Sequence, residues 1–218
     1  MESPAQVRGG TRWRRFAVVM VPSVAATAAI GVALAQGALA ASFSVSGQDF
    51  KVTASQLVGH NMVQYGGVAV GPTGSHPVVV SGFKSAEITK MCQSVLTRSV
   101  PIIGDVTLRL EAGGKGKDVT ATNLYLDVAS LDVENAEFKK MEIGVAAKNL
   151  QDPGRRGNEY NPNESPGAPY AFGQQAETAI LTGVKQTAWA TTAGSFTLPN
   201  LSLKLKVGDP KANECYSD

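Results

Sequence analysis

From residue 106 to residue 207 the chain repeatedly places an apolar side chain at every second position. Val106, Leu108 and Leu110 alternate with Thr107, Arg109 and Glu111. Leu124, Leu126 and Val128 follow the same rule, with Leu131 and Val133 close behind. Leu201, Leu203, Leu205 and Val207 alternate with Ser202, Lys204 and Lys206, which predicts a strand with one wet face. Val78, Val79 and Val80 form a short continuous apolar run of the kind a central strand shows, and the Gly-Gly pairs at 66–67 and 113–114 sit where turns are needed. No long run keeps helical spacing. Ser85 to Leu96 comes nearest, but its β-branched content leaves it ambiguous. The pattern predicts a mainly β chain: a single all-β domain, built either as a sandwich or as an elongated, solenoid-like sheet.

The N-terminal stretch fixes how much of the chain must fold this way. Arg8, Arg12, Arg14 and Arg15 precede an uncharged apolar run from Phe16 to Ala35, and Ala38-Leu39-Ala40 with Ala41 after it makes a small-residue cleavage site. Basic, apolar, then small is the order of a secretory signal. The apolar run is as long as a membrane span, so residues 16–36 are either a cleaved signal or a retained anchor helix. Its alanine content, with Pro22, Ser23, Thr27 and Gly31, favours cleavage between Ala40 and Ala41. Arg14-Arg15-Phe16 resembles part of a twin-arginine signal, but the surrounding pattern is incomplete and the general export route fits better. The expected organisation is residues 1–40 as signal or anchor and 41–218 as an extracytoplasmic β-domain, secreted or held at the membrane.

Export also reorganises the charge. The chain carries +2 overall, but its first 40 residues supply four arginines against Glu2 alone, leaving 16 basic and 17 acidic residues beyond them. A near-neutral domain has no electrostatic footprint for nucleic acid. The two cysteines, Cys92 and Cys215, both lie in the exported part. In an oxidising compartment an even pair without a third thiol is most simply a disulfide, and no Cys-x-x-Cys spacing supports a redox role.

Residues 151–175, QDPGRRGNEYNPNESPGAPYAFGQQ, contain four prolines and four glycines and exclude regular structure. A loop this long is either a functional flap or a disordered insert, and Tyr160, Tyr170 and Phe172 are the aromatic side chains a flap would present. Weak self-similarity links ITKMCQSVLT and its following strand to LTGVKQTAWAT and its following strand, consistent with a duplicated β unit or with chance.

Chemistry-bearing constellations are few. His60 and His76 are the only histidines, so a histidine base must be one of them. A Gly-x-Ser-x-Gly elbow is missing. In Gly74-Ser75-His76-Pro77, serine and histidine are sequence neighbours, and neighbours in an extended segment point to opposite sides. Ser81-Gly82-Phe83-Lys84 matches Ser-x-x-Lys without its companion motifs. A serine hydrolase built here would draw on Ser75 or Ser81, His60 or His76, and Asp49 or Asp105. Asp127, Asp132, Glu134 and Glu137 are expected on solvated faces, as are the oxygen-bearing side chains Asn158, Glu159, Asn161, Asn163 and Glu164, and neither group has calcium-loop spacing. No zinc spacing or phosphate-cradling glycine loop occurs. We therefore assign no catalytic, cofactor or metal residues and expect no cofactor.

Several longer strings carry a resemblance: RWRRFAVVMVPS…AIGVALAQGALAASF, FKSAEITKMCQSVLT, VTATNLYLDVASLDVENAEF, AFGQQAETA and KQTAWATTAGSFTLPNLSLKLKVG. From about residue 11 to 216 the chain resembles a secreted actinobacterial (streptomycete-type) family of unknown function. Its members are often labelled cholesterol esterase and encoded beside a small multi-pass membrane protein. The resemblance implies export, a matching cysteine pair and a membrane-protein neighbour, but brings no catalytic motif onto these residues. The expected function is a non-enzymatic envelope or extracellular β-domain that binds a lipid or a partner protein. Ester hydrolysis and a structural surface subunit stand as alternatives, with a homo-oligomer among the assemblies left open.

Overall fold

The computed structural model describes residues 47–150 and 171–217, all within the unit Ser42–Asp218. Ala38, Ala40, Ala41, Tyr160 and Tyr170 therefore lie outside the described residues, as does the apolar run 16–36. Among the described residues ten antiparallel strands form one sheet, so the chain is mainly β. The strands are β1 (Phe50–Gly71), β2 (Gly74–Thr89), β3 (Met91–Val100), β4 (Gly104–Ala112), β5 (Val119–Asp132), β6 (Asn135–Lys139), β7 (Glu142–Ala146), β8 (Phe172–Thr192), β9 (Ser195–Thr197) and β10 (Ser202–Val207). A four-residue helix, α1 (Pro210–Asn213), starts behind the side-chain cap of Asp209, which accepts from the Lys211 N–H.

Four long strands close the sheet on itself. β1 pairs with β2, β2 with β5, β5 with β8, and β8 returns to β1 over Phe50↔Ala188 to Tyr65↔Gly173. Closure removes the free edges of these strands and gives a barrel with an inner face. Leu57, Met62, Phe83, Ile88, Val119, Leu124, Ala179 and Val184 belong to its buried cluster.

The inner face changes parity along each strand. Leu57 and Gly59 face inward on β1, and then Met62 does; Val119 and Ala121 on β5 give way to Leu124 and Leu126. The switch follows one row of neighbours across β8, β1, β2 and β5, where Glu177, Asn61, Lys84 and Asn123 drop out of otherwise continuous ladders and are exposed. Asn61 and Asn123 hold φ of 50° and 47°, a left-handed step that asparagine tolerates and that shifts the alternation by one position. A second level, marked by Ser55, Gly183 (φ 61°) and Lys90 (φ 51°), does the same lower down.

Three local expectations change. Ser85 to Leu96 is not helical but spans the end of β2, a corner at Lys90 and the start of β3. Gly66 and Gly67 form no turn; they lie inside β1 opposite Val79 and Val78, and a Cβ on Gly67 would stand 2.8 Å from Val80 Cγ2. Gly113 and Gly114 do turn, with φ of 76° and 81°. Within the 151–175 stretch, Phe172 to Gln175 are regular structure, the start of β8, paired with β7 and, from Gly173 on, with β1.

Beyond the barrel the sheet continues as a three-stranded wing. β3 joins β1 only over Lys51↔Ser94 to Thr53↔Cys92, β4 pairs with β3, and β10 pairs with β4 and ends the sheet on that side. Gln93 and Gln186 flank Val52 from its two sides, so the self-similar QS and QT strings occupy matching places against β1.

Candidate functional site

The wing has two faces of opposite chemistry. Directly paired residues share a face. On one face lie Lys51, Cys92, Ser94, Thr107, Arg109, Glu111, Lys204 and Lys206; on the other lie Gln93, Val95, Thr97, Val106, Leu108, Leu110, Leu203, Leu205 and Val207.

The polar face is the covered one. The segment from Asp209 to Tyr216 lies across it, tied by the Cys92–Cys215 disulfide, whose Cα atoms are 5.9 Å apart. The Arg109 guanidinium donates to the main-chain oxygens of Glu214 (2.9 Å) and Asn213 (3.3 Å) and is aligned by Glu111 Oε1 at 2.7 Å. Lys51 Nζ donates to Glu214 Oε2 at 3.3 Å and lies 5.0 Å from the centre of the Tyr216 ring. The Cys215 N–H donates to Ser94 Oγ at 3.0 Å. Ser94 and Thr107 are buried beneath this layer, and Thr107 Oγ1 has no hydrogen-bond partner.

The apolar face is the open one. Leu203, Leu205 and Val207 are 58%, 71% and 59% exposed, and Leu108 and Leu201 are exposed as well. The period-two reading put these leucines inside and the lysines in water. Lys204 is in water as expected, but the leucines are too, because the inner face of the barrel runs outward through Val52, Gln93 and Leu110 onto a wing with no opposite wall. At the far end the β3–β4 hairpin turns through Val100-Pro101-Ile102-Ile103, closed by the Ile103 N–H to the Val100 oxygen at 3.2 Å. Ile102 has φ 74°, the third position of a type II turn, where glycine is the usual residue. A β-branched side chain there costs on the order of 1–3 kcal/mol. Both Ile102 and Ile103 are exposed, Ile102 fully.

At the inner end of the same face is a cavity lined by Val52, Leu57, Met91, Leu124, Val184 and Phe196, among others. Its volume is about 30 Å³, space for a water or two. Small-molecule sites run to roughly 300–1,000 Å³.

The candidate hydrolase residues do not assemble. Ser81 is buried and accepts from Gln64 Nε2 at 2.9 Å, while Gln174 in turn donates to Gln64. His76 stacks on Trp189, with ring centres 3.7 Å apart, and its Nε2 is 3.1 Å from Thr73 Oγ1. His60 Nδ1 is 3.5 Å from Thr178 Oγ1. Asp105 accepts from the Ser99 N–H at 2.8 Å beside Arg98, and Ser75 opposes Val70 in the β1–β2 ladder. Among the described residues neither histidine bonds a serine or an acid. Phe172 is exposed at the start of β8, on a strand and not on a flap.

Of the acidic group, Asp127 departs from expectation by being buried beside Val80 on the second apolar cluster, with Val78 and Tyr125. Lys140 and Glu177 form an exposed pair that shifts both side chains from their ordinary values. A hydrogen bond with Lys140 lowers the Glu177 pKa, and the same bond raises that of Lys140. Among the described residues no three His, Cys, Asp or Glu side chains gather as metal ligands would, and no helix is long and apolar enough to cross a membrane.

Residues 46–216 match the model of a family described as a family of unknown function (DUF6230). No curated protein and no solved structure matches the chain.

Proposed function

The chain belongs to the family of unknown function DUF6230, and we propose that it is an exported, non-enzymatic β-domain that acts at the cell envelope by binding another protein. The observation that carries this reading is the packing of the barrel's inner cluster among the described residues, where Met62, Phe83, Val119 and Leu124 are fully buried. The cavity beside Val52 and Phe196, about 30 Å³, is too small for an acyl chain or a sterol, which favours a partner on the outer surface over a ligand held there. The separation of Ser75, Ser81, His60 and His76 weighs against the esterase label, since a nucleophile and its base must sit within hydrogen-bond reach. Export is supported by the order of residues 12–41 and by a long-range disulfide suited to an oxidising compartment.

Purified full chain incubated with p-nitrophenyl and cholesteryl esters tests the enzymatic alternative. The expected result is no turnover above buffer, unchanged in His60→Ala and His76→Ala. Turnover lost with either histidine would overturn the reading. Mass spectrometry after exposure to a lipid extract should recover no stoichiometric lipid. Cross-linking on intact cells should join the chain to a second protein species, and N-terminal sequencing of the released form should begin at Ala41.

A further inference from the structure

The open face of the wing is apolar and large. Leu108, Leu201, Leu203, Leu205 and Val207, with Ile102 and Ile103 at the hairpin tip, expose on the order of 700 Å² of aliphatic surface, close to the roughly 800 Å² that each partner gives a stable interface. We infer that this face is where two copies of the chain pack against each other.

Three features select a second copy as the occupant. The nine positions on this face of β3, β4 and β10 include no charged residue, so nothing on it repels its own image or calls for a charged partner. A bare sheet face is complemented by another sheet face, layered roughly 10 Å away as in a sandwich. The face also carries unlike ends: the Ile102–Ile103 tip at one, and the cavity beside Val52 and Phe196 at the other. In a two-fold arrangement each tip meets the cavity end of the other copy, so both contacts form twice. Stacking by faces leaves Lys204 and Lys206 on the far side, the face that carries Arg109 and Ser94. Pairing by edges, β10 against β10, would instead set lysines opposite lysines.

The inference goes beyond the proposed function. A monomeric chain would leave a heterologous partner possible, and ester hydrolysis would overturn the non-enzymatic reading while leaving the dimer standing. Sedimentation velocity on the full chain across a wide concentration series is the test, with Leu205→Asp and Ile102→Gly as variants. Wild type should sediment as a dimer. Leu205→Asp should weaken association at least tenfold with an unchanged circular dichroism spectrum. Ile102→Gly, which relieves the left-handed strain, should weaken association while keeping or raising the Tm. A wild type that stays monomeric overturns the inference, as does a dimer that both variants leave intact. Co-sedimentation with phosphatidylcholine/phosphatidylglycerol vesicles that is lost in Leu205→Asp, without any dimer, would assign the face to a lipid surface and equally overturn it.

Discussion

The barrel and the wing are cut from one sheet and share the same period-two sequence pattern, yet they hide opposite faces. In the barrel, Leu57, Phe83 and Leu124 turn inward because four strands close around them. In the wing, Thr107 and Ser94 are buried while Leu205 is in water. The apolar face has no opposing wall there, while the polar face is covered by a segment fixed by a disulfide and by Arg109. Alternation therefore states that a strand has two unlike faces. Which of them is buried is decided by what the rest of the chain lays across it.

The contrast can be broken most forcefully in the barrel. Phe83→Ala should cost about 3–5 kcal/mol in urea unfolding, because its ring fills the space that Gly59 leaves beside it. The matching truncation in the wing, Leu205→Ala, should change the stability of the monomer by no more than about 0.5 kcal/mol. A comparable loss in both would show that the wing's open face is buried after all. Next in size is the cover itself. Cys92→Ser with Cys215→Ser should cost about 2–5 kcal/mol, and protease should then cleave near Asp209–Tyr216 while β1, β2, β5 and β8 stay protected.

Thr107→Val is a smaller and opposite effect. It removes a buried hydroxyl with no partner and should leave stability unchanged or raise it by up to about 1 kcal/mol in the same unfolding series. Smallest of all is the exposed pair. A lowered Glu177 pKa gives stability that is present above its unfolded value and lost as pH falls through the folded one. A raised Lys140 pKa gives stability present below its unfolded value and lost as pH rises through the folded one. Both side chains are in water, where screening leaves such pairs little effect, so Glu177→Gln should not measurably move the urea midpoint at neutral pH.

The β class was legible in the sequence because alternation survives within each tier of the barrel. Strand lengths were not. β1 is one strand of 22 residues, but Ser55 and Asn61 shift its inward set from Val52 and Ala54 to Leu57 and Gly59 and then to Met62. A pattern that changes parity twice looks like several short strands. Gly66 and Gly67 misled for a related reason, since glycine serves close packing against Val80 as well as turns. The open face was written in plain view at Leu201–Val207, but its exposure depends on the C-terminal segment taking the other side, a long-range fact that local pattern does not carry. The Ile102 tip left one signal, Pro101 followed by a residue that must occupy the glycine place of a type II turn.

The β1–β8 pairing also sets a timetable. β1 and β2 meet through a tight hairpin at Gly71↔Gly74, and β5 can add to β2 soon afterwards. Phe50 must then wait for Ala188, far along the chain, before the cylinder shuts. Joining such distant segments is slow because the intervening chain has to be closed into a loop first. A polypeptide emerging N-terminus first therefore spends that interval as an open sheet, with two bare edges and Leu57 and Leu124 facing solvent. Its greatest hazard is aggregation before β8 arrives, and a chaperone would be needed most at that stage.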